Sequence, residues 1–130
     1  MIPATTYAVI VGAVIATYRE RLGEMTQAEC AKRMKLSPST WSRIEHGASA
    51  LTIVQLAQFC AVIGFGRDCG RMHALKPQDV LVASETAAGA MREQGIRVCI
   101  GPIERAVYVT IADSEVRTFA AAAYDTEEKR

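Results

Sequence analysis

The sequence lacks the residue patterns that build metal centres and catalytic sites. The spacing of its four cysteines includes no CxxC pair or other metal-ligand pattern. His73 lies near Cys69 in the sequence, but no further candidate ligands accompany them. No serine has a nucleophile's partners, no carboxylate pair suggests acid–base chemistry, and no glycine-rich loop follows a strand with phosphate-binding spacing. We therefore expect no catalytic residue, metal ion or cofactor, and we predict that the chain is not an enzyme.

A membrane-spanning segment is also missing. The N-terminal apolar run YAVIVGAVIAT has eleven residues, whereas a membrane-spanning helix needs about 20. No basic region precedes this run, and no convincing signal-peptidase site follows it. We expect it to be the first core helix of a cytoplasmic protein without membrane contact, whose cysteines are reduced thiols.

Aromatic residues are scarce. Only eight of the 130 residues are Phe, Trp or Tyr, so the core must consist mostly of small and aliphatic side chains. The length predicts one domain, or one small domain with an appendage. Because a domain of this size has a modest core, we expect further burial through dimerisation.

The net charge of +1 conceals a basic segment. Residues 1–66 hold six basic and four acidic side chains, and four of those six fall between positions 32 and 43, where no acidic residue occurs. Residues 67–130 hold nine basic and ten acidic side chains. A basic cluster is typical of a small DNA-binding surface, and polar helix faces also carry such charges for solubility alone.

Apolar periodicity and capping residues predict four helices in the first half of the chain, over residues 6–22, 27–34, 38–46 and 53–63. Thr26 and Glu29 have the spacing of a capping box. Ser37 is an N-cap followed by Pro38, which suits the first helical position, and Thr52 is the N-cap of the fourth helix. The positions of the fourth helix expected to face inward are Val54, Leu56, Ala57, Cys60 and Ile63.

The second half begins with a glycine-rich segment, and we place a boundary between residues 66 and 67. A fifth helix is predicted over residues 77–94, carrying the apolar residues Val80, Leu81, Ala87, Ala88 and Met91. Alternating apolar residues over 96–100 and 107–111 predict two strands joined as a β-hairpin. Ser114 is a candidate cap for a last helix ending near Tyr124, followed by a frayed tail.

The second and third predicted helices meet the requirements of a helix-turn-helix. Ala31 is a small residue where the helices approach, and Trp41 and Ile44 point inward. Arg43 lies on the outward face and can make two hydrogen bonds to guanine. Ser39, Ser42 and His46 share that face. The N-termini of both helices would point free N–H groups at phosphates, near Gln27 and Ser37, with Lys32, Arg33 and Lys35 as candidates for backbone contact.

The stretch MTQAECAKRMKLSPSTWSRIEHG closely resembles the Cro/phage-repressor type of helix-turn-helix, the XRE family. The resemblance extends over about residues 7–65. It implies a lambda-repressor-like domain of four to five helices over residues 1–66, so the whole chain is predicted to be mainly α, with residues 67–130 forming a small α/β part (helix, β-hairpin, helix).

The resemblance also assigns roles to individual residues. It implies an ion pair between Arg19 and Glu45. It places four residues near base edges: Pro38, Ser39, Ser42 and Arg43. Together with the helix N-termini, it gives four phosphate contacts: Gln27, Lys35, Ser37 and Thr40. Lys35 replaces the family's usual glycine, so a left-handed backbone is expected there, and RLGEM is one residue longer than the family's usual link.

These features predict a bacterial or phage transcriptional regulator, a repressor that binds a palindromic operator as a homodimer. Its recognition helix over residues 38–46 would lie in the major groove, and residues 67–130 would supply dimerisation or regulation. The alternative is an antitoxin that covers a toxin protein and also represses its own operon, as the resemblance implies for some relatives.

Overall fold

The computed structural model describes residues 1–65 and 75–129. Within these residues the predicted class, a mainly helical fold with a small α/β part, is confirmed. The predicted boundary at residues 66 and 67, together with Cys69 and His73, lies outside the described residues. The elements in chain order are β1 (Ile2–Thr6), α1 (Tyr7–Arg21), α2 (Gln27–Arg33), α3 (Pro38–Glu45), α4 (Ile53–Phe65), α5 (Pro77–Glu93), β2 (Arg97–Cys99), β3 (Tyr108–Thr110) and α6 (Asp113–Glu128).

Side-chain caps determine where α2, α3 and α4 begin. Thr26 and Glu29 form the reciprocal capping box of α2. Ser37 Oγ accepts a hydrogen bond from the backbone N–H of Thr40 at 3.2 Å, and Thr52 Oγ1 accepts one from the first turn of α4 at 3.0 Å. Each bond satisfies an N–H that has no partner inside its helix. The three predicted caps are confirmed.

The three strands form one parallel sheet in the order β2-β1-β3. Ala4 of β1 is paired with Arg97 of β2 and with Thr110 of β3. Ala4 and Thr5 are 0% and 1% exposed, and because adjacent strand residues point to opposite faces, the central strand is covered on both sides.

The predicted β-hairpin is therefore wrong. The apolar alternation identified β2 and β3, but each of them pairs with β1 and not with the other. Alternation reveals which face of a strand is buried and carries no information about its partner. The strand β1 was not predicted, since IPATT shows no alternation and contains a proline.

Helix α6 also differs from its prediction. Ala112, not Ser114, is the N-cap residue, and the helix continues past Tyr124 to Glu128. The predicted frayed tail is thus mostly helical. Asp125 accepts a hydrogen bond from Arg21 of α1 at 2.6 Å, and Tyr124 packs against Tyr18. These contacts with α1 hold residues that have no strong local helix signal.

The core is arranged around α1, which packs against α3, α5 and α6. Two predicted inward positions of α4 are wrong: Val54 is 76% exposed, and Ala57 is also exposed. Phe59, which was not predicted, is fully buried and stacks on Trp41 with 5.6 Å between ring centroids. This contact sets the rotation of α4, which its apolar pattern alone could not decide because apolar residues occur all round the helix.

A close approach between backbones determines how α1 crosses the end of α3. A Cβ atom on Gly12 would lie 2.5 Å from the carbonyl oxygens of Ile44 and Glu45. At Gly47, where φ is +75°, a Cβ atom would lie 2.5 Å from Val9 Cα. Glycine is therefore required at both positions, at Gly47 also because of its left-handed backbone.

Replacing Gly12 by alanine should force α1 and α3 apart. We expect Gly12→Ala to lower the free energy of unfolding by about 1–3 kcal/mol, because the new methyl group meets backbone atoms that cannot rotate away. Chemical denaturation measures the change. Gly89→Ala is the matched control: it lies in α5, nothing lies within 4 Å of its Cβ position, and it should stabilise the protein by up to about 1 kcal/mol. Equal effects of the two variants would contradict this account.

Two cysteine thiols are buried in the core. Cys30 and Cys60 are 0% and 3% exposed, and both are free. Burial, reinforced by the charge of Glu45, raises the pKa of Cys30 from 9.0 to about 12. Burial, with a smaller contribution from Asp79, raises the pKa of Cys60 to about 11. The folded protein therefore keeps both thiols protonated at pH values where the unfolded chain has ionised them.

Stability should consequently fall as the pH rises above about 9. The unfolded state then binds fewer protons than the folded state, so each thiol contributes a slope of up to about 1.4 kcal/mol per pH unit. Denaturant titrations at alkaline pH measure this slope. The variant Cys60→Ala should have a shallower slope than the wild type, whatever its stability at neutral pH. Identical slopes would show that Cys60 does not ionise on unfolding.

Candidate nucleic-acid interface

A tight turn joins α2 to α3 and fixes their relative direction. The backbone N–H of Leu36 donates to the carbonyl of Ala31 at 2.9 Å, and that of Lys35 donates to Lys32 at 3.1 Å. Lys35 has φ = +59°, the left-handed conformation expected where it replaces glycine. Ala31 is fully buried where the helices approach. The pair α2 and α3 thus has the geometry of a helix-turn-helix.

Helix α3 has one buried face and one open face. Trp41 and Ile44 are 0% and 3% exposed, as predicted. Arg43 is exposed, and no described side chain forms an ion pair with it. Four predicted base-contact residues lie in α3 outside its buried face, with Pro38, Ser39 and Arg43 exposed and Ser42 half-buried. Such a face can present one long cationic donor and short hydroxyls to a groove.

The hydroxyl groups at the start of α3 are partly occupied. Ser37 Oγ donates to Thr40 Oγ1 at 2.8 Å and lies 3.3 Å from Ser39 Oγ. At the other end of the helix, His46 Nδ1 lies 2.8 Å from the carbonyl oxygen of Ser42. These bonds hold the side chains in place before any ligand arrives. The phosphate contacts of Ser37 and Thr40 stay predictions.

A buried ion pair connects α1 to the end of α3. Arg19 Nε donates to Glu45 Oε2 at 2.6 Å, and its Nη2 donates to Oε1 at 3.0 Å. This two-point contact joins the two residues that the family resemblance pairs. Arg19 Nη1 also donates to the carbonyl of Met25 at 2.7 Å. Burial alone would lower the pKa of Arg19, but the hydrogen bonds and charge of Glu45 outweigh it and raise that pKa.

Gln27 has a structural role that the sequence did not predict. Its Nε2 donates to Glu45 Oε1 at 2.8 Å, so the first residue of α2 is tied to the last residue of α3. The side chain of Gln27 is half-buried. One N–H of its amide is used here and the second is available, so its predicted phosphate contact stays a prediction. No local sequence signal identifies such a contact, because Gln27 and Glu45 are far apart in the chain.

Three further basic residues lie within the motif. Lys32, Arg33 and Lys35 are exposed on α2 and the turn. Within residues 1–65 and 75–129, no group of three or more histidine, cysteine or acidic side chains is placed to hold a metal ion. None of the helices described is both long enough and apolar enough to span a membrane.

Comparison with known proteins supports the same assignment. Residues 10–69 match the family model of a helix-turn-helix domain, consistent with the XRE type of DNA-binding domain. The matched range begins in α1 and contains α2, α3 and α4. No curated protein and no solved structure matches the chain.

Substitutions of Lys35 can separate the effect of its left-handed backbone on stability from the effect of its charge on DNA binding. Glycine accepts the left-handed backbone that costs another residue roughly 1 kcal/mol, so we expect Lys35→Gly to stabilise the fold by about that amount. The control Lys35→Ala removes the same charge without the conformational gain. If Lys35 contacts a phosphate, both variants should weaken DNA binding alike and reduce its salt dependence by about one ion. Denaturation and salt-titrated binding measure the two effects, and stronger DNA binding by Lys35→Gly would contradict the charge role.

Proposed function

Because residues 10–69 match the family model of a helix-turn-helix domain, we propose that the chain is a sequence-specific transcriptional regulator, a repressor that inserts α3 into the major groove of DNA. The observation that carries the proposal is the open face of α3, where Arg43 has no ion-pair partner among the described residues. The cations Lys32, Arg33 and Lys35 are exposed on α2 and on the turn that leads into α3, and the sequence has no acidic residue between positions 32 and 43.

Arg43 is the residue proposed to recognise bases. Its guanidinium can donate two hydrogen bonds to the O6 and N7 atoms of guanine. Ser39 and Ser42 are short enough to allow a close approach, but a hydroxyl discriminates weakly because it both donates and accepts. Pro38 offers only apolar contact. The proposed phosphate contacts are Gln27, Lys35, Ser37 and Thr40, which orient the domain without reading sequence.

Two variants of Arg43 test base recognition, using an operator selected from random DNA. We expect Arg43→Ala to bind that operator with about 1–3 kcal/mol less free energy, which is roughly fivefold to 150-fold weaker. Arg43→Lys keeps the charge but loses the paired donors, so it should keep non-specific affinity and lose discrimination. Titrations of operator and unrelated DNA at fixed salt measure both. Wild-type affinity of Arg43→Ala for the operator would refute the proposed role.

We further propose that the protein acts as a homodimer through the predicted region 67–130. In the sheet, β2 and β3 each pair only with β1, so the outer edge of each strand is unpaired within the described chain. Five large apolar side chains around the sheet are exposed by 42% or more: Met1, Ile2, Ile100, Val107 and Val109. Unpaired edges with apolar side chains favour pairing with a second chain. A two-fold dimer would place two copies of α3 about 34 Å apart, one turn of DNA.

Val109 of β3 is the position at which to test this dimer. We expect Val109→Lys to convert a dimer into a monomer, since the lysine charge would have to be buried in the proposed dimer interface. The control Ala122→Lys adds the same charge on an exposed position of α6. Light scattering measures the mass of each. Dimer formation unaffected by Val109→Lys, or a monomeric wild type, would refute an interface on β3.

The antitoxin alternative involves a different partner. Ile53 and Val54 at the start of α4 are 86% and 76% exposed, and such an apolar pair in the helix-turn-helix half suits contact with another protein. A second small protein in stoichiometric amount in a natively isolated complex would support this alternative. A complex containing only this chain would leave the homodimeric regulator as the function.

A further inference from the structure

A pocket of about 370 Å³ lies where the strands begin and α5 ends. Its walls come from all three strands, including Ile2 of β1, Arg97 of β2 and Tyr108 of β3, and from Arg92 in the last turn of α5. Its volume is at the lower end of the range of small-molecule sites, roughly 300–1,000 Å³. Four separate elements therefore converge on a space that a small ligand would fill.

Among the described residues, neither arginine of this pocket has an acidic partner. In the part of the chain that the structure describes, no carboxylate lies within ion-pairing distance of Arg92 or Arg97. Glu85, on the same helix as Arg92, instead accepts a hydrogen bond from the hydroxyl of Tyr7. Arg92 lies in the last turn of α5, where the negative end of the helix dipole stabilises a cation, so its charge needs no further explanation. The helix dipole does not account for Arg97, which lies in a strand.

The other walls define what kind of anion would fit. The lining also includes the apolar residues Ile2, Ile96 and Val98, and it includes Tyr108, whose side chain ends in a hydroxyl group. Guanidinium groups prefer the planar or tetrahedral oxygens of carboxylates and phosphates, which they can bind at two points. Small-molecule sites commonly combine an apolar lining with a few such polar groups.

We propose that this pocket binds a small organic anion that has a carboxylate or phosphate head and a short apolar body. Arg92 and Arg97 hold the head, and Ile2 and Ile96 contact the body. A free inorganic anion would leave the apolar wall uncovered, and a neutral hydrocarbon would leave both guanidinium groups without a partner.

The position of the pocket connects it to α3. Thr6 is both the last residue of β1 and the N-cap of α1. Helix α1 in turn contacts α3 through Gly12 and the Arg19–Glu45 pair. A ligand in this pocket thus contacts β1, β2 and the end of α5, and β1 leads directly into the helix that positions α3. Any regulatory effect through this connection rests on the proposed DNA-binding function, whereas binding of the anion does not.

The test is a set of titrations of the full chain, without DNA, followed residue by residue in NMR spectra. The probes are benzoate and phenyl phosphate, with inorganic phosphate and benzyl alcohol as partial ligands. We expect benzoate or phenyl phosphate, at concentrations of about 10 mM or below, to shift the amide signals of residues 92, 96–98 and 108. Both partial ligands should bind at least tenfold more weakly, because each lacks one half of the proposed contacts.

Variants then assign the binding to the arginines. Arg97→Gln and Arg92→Gln should each weaken binding of the better probe about tenfold or more, while the control Arg105→Gln, an exposed arginine that does not line the pocket, should leave it unchanged. Shifts confined to α3, equal binding of inorganic phosphate, no shifts in the pocket, or equal weakening by all three variants would each overturn the proposal. Separate DNA titrations distinguish failure of this proposal from failure of the proposed function. If the pocket binds the anion and the chain has no affinity for an operator, only the proposed function is refuted.

Discussion

The buried contact between Arg19 and Glu45 is the constraint on which the position of α3 depends. The pair lies 5% and 2% exposed inside the domain, and its second and third connections run to the carbonyl of Met25 and to Gln27. One ion pair therefore joins α1, the link to α2, the start of α2 and the end of α3. Such a pair adds little net stability over an apolar replacement, but removing one partner costs about 3–5 kcal/mol because the other charge stays buried. The pair therefore favours one arrangement of these helices over alternative arrangements in which a buried charge would lose its partner.

Helix α1 extends this constraint to the rest of the molecule. One part of α1 meets α3 at backbone distance through Gly12, and other parts pack against α5 and α6. Its N-cap is the last residue of the central strand. The helix-turn-helix and the α/β part consequently share a helix, and a single hydrophobic cluster includes buried residues of both, such as Ile44 and Val116. Packed interiors transmit displacement because they contain little free space.

Features controlled by neighbouring residues could be predicted from the sequence, and features controlled by distant residues could not. The caps at Thr26 and Ser37 are local, so they follow from a few residues in a row. The same holds for the division of α3 into inner and outer faces, which gives the candidate DNA-contact residues. The left-handed backbone of Lys35 was expected from the glycine that the resembled family has at this position. The partner of each strand, the length of α6 and the contact of Gln27 with Glu45 arise between residues far apart in the chain. The Arg19–Glu45 pair is equally distant, and only the resemblance to a known family suggested it.

The central position of β1 has a consequence for the order in which the molecule assembles. The partners of Ala4 in β2 and β3 lie about ninety residues or more further along the chain, so they leave the ribosome long after the helix-turn-helix residues. During that interval the first strand has neither of its neighbours, although α1–α4 already have the residues for most of their mutual contacts. Closing so long a loop costs entropy that local helix contacts do not. The helices around α3 can therefore form before the sheet, which then fixes β1 against strands that follow it by about ninety residues or more.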